Sequence, residues 1–485
     1  MALRKNVLIS FGTNFTVYFF QFVTTIVVSR LLTPVQVGLF AVSVAISMIL
    51  QELRDFGVSS YIVQEKILSD EKVRAVFALA LLVGWPLAAI LFVSRSWIAA
   101  FYQQPEIGDI LAVLSIGFIV FPFGLPALGM LRRQMKVVKI AIISISASLS
   151  TAIVSITLAY LGFGALALSY GALCGAIVSS GLALAFSPEH LKLRPSFTGL
   201  KLIGGYGLTS TLATVLQKTA ANYPELVIGK FLGFDLLGFF VRGKVLPVVV
   251  ERLSYTPLQS AMVPDLAQRL RLVEPVHEQV SKLIIFAVGL GWPLLAFMSM
   301  NSVFIVRLLY GTSWLQAHIV LSIFCVNQAI LLLNYPALVL FEATGSVRKR
   351  LFNESAIQFI FVMIVSLALT YGLMAIALAV ICSSLFALFL NMRFVEETIK
   401  VNMSQLLRPA LTLLPLTVPP ILSAILTTML WPNIALNPSI RTSIFTLCLN
   451  GTLSLGFCVL LLSVIRPPLY FELRKLVNKT KVIRG

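Results

Sequence analysis

Residues 76–93, VFALALLVGWPLAAILFV, run for eighteen positions without a charge. A helix needs about 20 apolar residues to cross the hydrocarbon core of a bilayer, and this run, extended to 74–100, is long enough. No water is available inside a bilayer, so the backbone of such a block must satisfy itself as a helix. Spanning strands would instead show alternating segments of about ten residues, and the chain has none.

The same pattern recurs from end to end. Of 485 residues, 58% are hydrophobic and 12% charged, with a mean hydropathy of +0.96. A soluble domain is about half apolar and a quarter charged. Apolar blocks fall at 7–30, 36–57, 74–100, 107–131, 138–161, 164–186, 200–220, 236–262, 283–308, 315–341, 352–371, 373–393, 406–430 and 440–465. The expected fold is an all-α integral membrane protein of about fourteen transmembrane helices. The longest polar stretches, Ser187–Lys201 and Asp265–Lys282, read as loops. Met1–Lys5 and the apolar run after it resemble a signal peptide, but the run carries Asn14, Gln21 and Arg30 and passes any small-residue cleavage site. It reads as an uncleaved first span.

Basic residues collect in alternate loops. One set holds Arg4 and Lys5; Arg132, Arg133, Lys136 and Lys139; Lys192 and Arg194; Arg348, Lys349 and Arg350; and a tail with Arg466, Arg474, Lys475, Lys479, Lys481 and Arg484. The opposite loops, Tyr102–Glu106, Leu161–Gly164 and Trp431–Ser439, hold essentially none. The positive-inside rule then places both termini in the cytoplasm. The net charge of +18 reads as topology determinants and contacts to anionic lipid headgroups, rather than as nucleic-acid binding.

Little points to catalysis. Cys174, Cys325, Cys382, Cys448 and Cys458 lie in apolar runs without a CxxC pair, as small buried hydrophobes do. His190, His277 and His318 sit at loops or span ends without metal-ligand spacing. Gly162–Gly164 reads as a tight connection between spans. No cofactor and no metal is expected.

The quoted run also opens a repeat. Gly84-Trp85-Pro86-Leu87 recurs as Gly291-Trp292-Pro293-Leu294, an offset of 207. Arg30-x-Leu-x5-Gly38-Leu-Phe recurs as Lys230-x-Leu-x5-Gly238-Phe-Phe at 200. Pro126-Ala127-Leu128 recurs as Pro336-Ala337-Leu338, and Gly162-x2-Ala165-x-Ala167-Leu168 as Gly372-x2-Ala375-x-Ala377-Leu378, both at 210. The offset covers six spans, so the halves share one orientation, as in parallel-repeat transporters. The expected organisation is an N-lobe at 1–198, a C-lobe at 199–400, two further spans at 401–465 and a basic cytoplasmic tail at 466–485. Pro86, Pro122, Pro126, Pro247, Pro257, Pro293 and Pro336 fall inside spans, where proline bends a helix.

Polar groups inside spans are costly and usually line a cavity. Asn14, Tyr18, Gln21, Thr25 and Ser29 follow helical spacing and form one stripe, facing either water or neighbouring helices. The seventh block holds Gln217, Lys218 and Asn222; the eighth holds Arg242, Lys244, Glu251 and Arg252. Lys244 and Glu251 are seven apart, on one face. Arg30 and Lys230 occupy equivalent span ends, where snorkelling to the interface is the plainer role. Asn327, Gln328 and Asn334 add polar groups to the tenth block, and Glu52, Arg54 and Asp55 suggest a local ion network. Surplus Arg and Lys suit an anionic cargo, since both side chains bind phosphate.

Several segments carry a family resemblance. Arg30-Leu-Leu-Thr-Pro34-x3-Gly38-Leu, then Asp55-Phe-Gly57-Val-Ser-Ser-x3-Gln64, resemble the opening of bacterial polysaccharide exporters. So do Leu131-Arg132-Arg133-Gln134-Met135-Lys136, Ile228-Gly229-Lys230-x-Leu-Gly233-x4-Gly238 and Pro264. The chain is thus similar to lipid-linked oligosaccharide flippases of the Wzx type, in the multidrug/oligosaccharidyl-lipid/polysaccharide exporter superfamily. That resemblance implies two six-helix lobes plus two C-terminal helices, alternating access in the bacterial inner membrane, and a polyprenyl-diphosphate-linked sugar as cargo. It also implies basic cavity residues that meet the diphosphate, by position Lys218, Arg242, Lys244 and Arg252, with Arg30 weaker; Asn14 and Gln21 would line the same path. Polysaccharide assembly proteins are possible partners. The matching motifs hold no catalytic residue.

Two rivals remain. An ion-coupled drug exporter of the same superfamily needs a cavity acid, for which Glu251 and Glu354 are the coupling candidates. A membrane polymerase or ligase usually needs a large extracytoplasmic loop, and every such loop here is short.

Overall fold

The computed structural model describes residues 2–55, 61–63, 65, 68–187, 194–197, 214–431 and 439–465. Most of the expected seventh span, Gly57 and Gln64 of the exporter-like motif, and the tail at 466–485 lie outside the described residues. Every regular element among the described residues is helical. Two compact units divide the chain, Met1–Gly238 and Phe239–Gly485.

The first unit holds α1 (Ala2–Leu31), α2 (Pro34–Asp55), α3 (Asp70–Tyr102), α4 (Pro105–Arg133), α5 (Val137–Tyr160), α6 (Leu166–Ala185) and α7 (Tyr223–Phe231). It also takes in the first turn of α8 (Phe234–Arg271). Local chemistry sets several boundaries. Thr33 and Gln36 form a reciprocal cap at the start of α2: the Thr33 amide donates to Gln36 Oε1 at 3.0 Å, and the Gln36 amide to Thr33 Oγ1 at 3.3 Å. Pro34 occupies the first helical position, where no amide proton is needed. Ser69 caps α3, its hydroxyl accepting from the Lys72 amide, and Asp70 and Glu71 complement the helix dipole.

Packing within this unit pairs α3 with α4 and α5 with α6, and sets α4 against α6 and α1 against α5. Small residues let the backbones close up, as membrane helices require. A Cβ on Gly84 would lie 3.1 Å from Pro122 Cγ on α4. Gly38 and Gly238 show the closest approach. A Cβ on Gly38 would overlap the Phe234 carbonyl oxygen, and one on Gly238 would overlap that of Pro34. The two positions are equivalent in the repeat, so the crossing of α2 and α8 is self-complementary. Arg133 of the Leu131–Lys136 motif donates to the Ile62 and Glu65 carbonyls at 2.8 and 2.6 Å. Its role here is to hold the connection before α3.

The second unit continues α8 and adds α9 (His277–Met300), α10 (Ser302–Leu309), α11 (Ala317–Leu332), α12 (Tyr335–Thr344), α13 (Val347–Ala368), α14 (Leu373–Ile399), α15 (Met403–Leu411), α16 (Val418–Leu430) and α17 (Ile440–Ile465). The repeat is visible in its contacts. Gly291 of α9 closes on Leu332 of α11, as Gly84 of α3 closes on α4. Trp292 Nε1 donates to the Ala329 carbonyl at 3.0 Å. Gly162 and Gly372, equivalent positions, both take left-handed backbone, with φ of 86° and 87°, a region glycine enters without penalty.

Pro86, Pro122, Pro126 and Pro293 lie inside unbroken helices. The sharp bend falls instead between α11 and α12, 41° at Leu333–Asn334, with Pro336 in the first turn beyond it. Eleven described helices are long and apolar enough to cross a membrane, or twelve if α11 and α12 make one bent span. α8 is outside that set: at 38 residues it is long enough, but it carries Asp235, Arg242, Lys244, Glu251, Arg252, Asp265, Arg269 and Arg271.

Candidate functional site

The charge on α8 is the conspicuous polar feature of an apolar bundle, and the structure separates its residues by face. At about 100° per residue, Arg242 and Lys244 point some 200° apart. Arg242 turns inward and is 7% exposed. Its guanidinium carbon lies 5.7 Å from the Trp314 ring centroid, and Trp314 makes edge contacts with Phe239 and Tyr310. Burial pushes the neighbouring Tyr310 phenol up to about 12, so Tyr310 stays neutral beside the cation. Arg242 Nε has no hydrogen-bond partner among the described residues.

Lys244 is half-buried, its ammonium 5.6 Å from the Phe240 ring centroid. Two turns along the same face, Glu251 Oε2 accepts from Gln328 Nε2 of α11 at 3.0 Å. Arg252 beside it is exposed. The α11–α12 bend is polar inside. Asn391 of α14 donates to Asn334 Oδ1 at 2.9 Å, and Asn327, Gln328 and Asn334 are all buried. Thus Glu251 lies next to a broken helix, Lys244 lies against Phe240 two turns away, and Arg242 belongs to a separate aromatic nest.

Glu354 sits elsewhere. It pairs with Arg350 at 2.7 Å, one turn earlier on α13. Arg350 also reaches Glu342 at 3.9 Å, and Glu342 accepts from Gln259 at 2.9 Å. This is a surface network near a helix start, with its acids already partnered.

In the first unit, Lys218 is exposed and lies 3.7 Å from Glu52. Arg54 is buried, a fact the sequence pattern did not signal. Its guanidinium carbon stacks 3.4 Å from the Phe121 ring centroid and 5.1 Å from that of Phe118, and it bonds Asp55 at 3.1 Å. The one available signal was an arginine flanked by Glu52 and Asp55 at a span end, which also describes ordinary surface pairs. Lys230 donates to the Phe101 carbonyl and lies 4.3 Å from its ring centroid. It thereby ties α7 to the end of α3, whose last carbonyls attract a cation. Arg30 is exposed. On α1, Asn14, Tyr18 and Gln21 are exposed, Thr25 is half-buried and Ser29 is buried. The stripe therefore leaves the protein packing over its first half.

A second buried polar network ties the last two helices into the second unit. Asn301, at the α9–α10 break, bonds Asn450 of α17 at 2.6 Å; Asn450 Oδ1 accepts from Thr427 of α16 at 2.9 Å; Ser423 and Ser454 meet at 2.9 Å.

WzxC, a lipopolysaccharide biosynthesis protein of Escherichia coli (strain K12), is 24% identical over 306 residues, covering 62% of this chain and 61% of its own length. TuaB, a teichuronic acid biosynthesis protein of Bacillus subtilis (strain 168), is 22% identical over 370 residues, covering 73% and 74%. The chain thus spans about three-fifths of the length of WzxC that it matches. Among solved structures, the lipid II flippase MurJ in an inward closed conformation superposes with a TM-score of 0.77 at 11% identity, covering 95% of this chain and 99% of MurJ. At that identity the shared property is the fold. The polysaccharide biosynthesis protein family matches residues 27–319, more than half of the sequence. The chain therefore belongs to that family.

Proposed function

We propose that the protein flips a polyprenyl-diphosphate-linked oligosaccharide across the bacterial inner membrane by alternating access, supplying capsule, O-antigen or exopolysaccharide assembly. The observation that carries this reading is α8, a helix of membrane-crossing length with an exposed or half-buried cationic face in an apolar chain. Charge at that depth is retained where it meets a polar cargo or a water-filled cavity. Lys244 and Arg252 are the diphosphate contacts on α8, with Lys218 and Arg30 supplementary. Arg242 supports α8 from behind, through Trp314. The exposed Asn14 and Gln21 would line the sugar's path, because a polar stripe facing lipid would be costly. Fourteen spans, cytoplasmic termini and the lobes at 1–198 and 199–400 belong to this proposal; family membership and the repeat support it.

The polar bend next to Glu251 favours a second element, ion coupling. Glu251 is a carboxylate held by neutral Gln328, whereas Glu354 is neutralised by Arg350. Of the two coupling candidates, Glu251 is the better placed. Polysaccharide export in cells carrying Lys244→Ala, Arg252→Ala and Lys218→Ala tests the cargo site. Each should lower export at normal protein level, and normal export in all three would remove the assignment.

A further inference from the structure

The turn between α3 and α4 holds an open hollow of about 570 Å³, lined among others by Arg95, Ser96, Gln103, Gln104 and Asp109. Arg95 lies seven residues before the end of α3 and Asp109 four after the start of α4. At 1.5 Å per residue, they sit about 10 Å and about 6 Å below the turn. Phe92, Trp97 and Phe101 are exposed on α3 around this level, Trp97 at 77%. Exposed aromatic rings at a span end mark the headgroup level of a bilayer.

Arg95 and Asp109 share the hollow without forming an ion pair, and neither makes one with another described residue. The Arg95 guanidinium carbon lies 4.3 Å from the Phe92 ring centroid, a contact that leaves its N–H fork available. Two opposite charges inside span ends, both unpaired, call for a ligand carrying both signs. A purely anionic headgroup would satisfy Arg95 and be repelled by Asp109. A choline headgroup would bring a cation with no N–H to donate to the carboxylate. Ethanolamine brings three.

We propose that this hollow binds the phosphoethanolamine headgroup of a membrane phospholipid, with the phosphate at Arg95 and the ammonium at Asp109. The hydroxyl of Ser96 and the amides of Gln103 and Gln104 complete the shell, and the acyl chains lie along the exposed aromatic face of α3. The site is separate from α8 and does not depend on the cargo proposed above.

The test uses the full chain in nanodiscs of phosphatidylethanolamine mixed with phosphatidylglycerol or phosphatidylcholine, with retained lipid counted by native mass spectrometry. Wild type should retain phosphatidylethanolamine over both others. Asp109→Asn should lower that preference about tenfold, the size of one charge-assisted hydrogen bond, and Arg95→Gln should lower retention of every phospholipid. Equal retention of the three lipids by wild type would overturn the proposal, as would an unchanged preference in Asp109→Asn. Should Arg95→Gln fail to accumulate, the comparison of ethanolamine with choline lipids on wild type still decides.

Discussion

Two positions separate Arg242 from Lys244, and helix geometry sends them to different surroundings. The aromatic nest around Arg242 makes it a packing residue with a charge. Truncation to alanine removes its stacking on Trp314 and its apolar stem, worth about 2 kcal/mol together. Thermal unfolding of the purified chain should show that loss for Arg242→Ala and almost none for Lys244→Ala, whose defect should appear in export instead. Equal unfolding midpoints for both variants would sink the distinction. Arg54 follows the same logic in the first unit. A lysine has no planar fork to lie on Phe121 while bonding Asp55. Arg54→Lys should therefore be destabilised by about 1 kcal/mol despite keeping its charge, measured by the same unfolding curves.

At the level of elements, the glycine crossing and the asparagine network are the decisive contacts. Gly38→Ala would set a methyl group against the Phe234 carbonyl oxygen, which as backbone yields only if α2 and α8 move apart. Overpacking of this kind costs about 1–3 kcal/mol, and Gly238→Ala should cost a similar amount because the crossing is self-complementary. A Gly38→Ala protein with unchanged unfolding behaviour would show that the helices are not pressed together there. Asn450 satisfies Asn301 and Thr427 at once. Asn450→Leu should leave both buried partners unmatched, at about 1–3 kcal/mol each, and loosen α16 and α17. Limited proteolysis between α15 and α17 would report that loosening directly.

For the whole molecule, alternation of loop charge gives an arrangement that labelling can check. In a background without the five native cysteines, cysteines replacing Lys139 and Lys349 should be reached from the cytoplasm. Cysteines replacing Gln103 and Gly311 should be reached from outside. Labelling of all four from one side would refute the fourteen-span arrangement. The two units share matching glycine contacts and matching left-handed turns, in keeping with the parallel repeat.

The sequence by itself determined the membrane class, the helical fold and the repeat. Each follows from local rules: apolar blocks of spanning length, a backbone that must bond to itself in lipid, and motif spacing that survives in order. The tight turn at Gly162 was legible for the same reason, since its partners lie within a few residues. The tertiary structure decided which charges are buried and what they pack against. Arg242 reads as a cavity cation and Arg54 as part of a local ion network in one dimension, and each is buried against an aromatic ring distant in sequence. Lys230 reads as a snorkelling residue and is tied to Phe101, 129 positions away. Hydropathy and spacing describe what a helix presents on each face. Which neighbour receives that face depends on contacts between residues far apart in the chain, and only the packed fold contains that information.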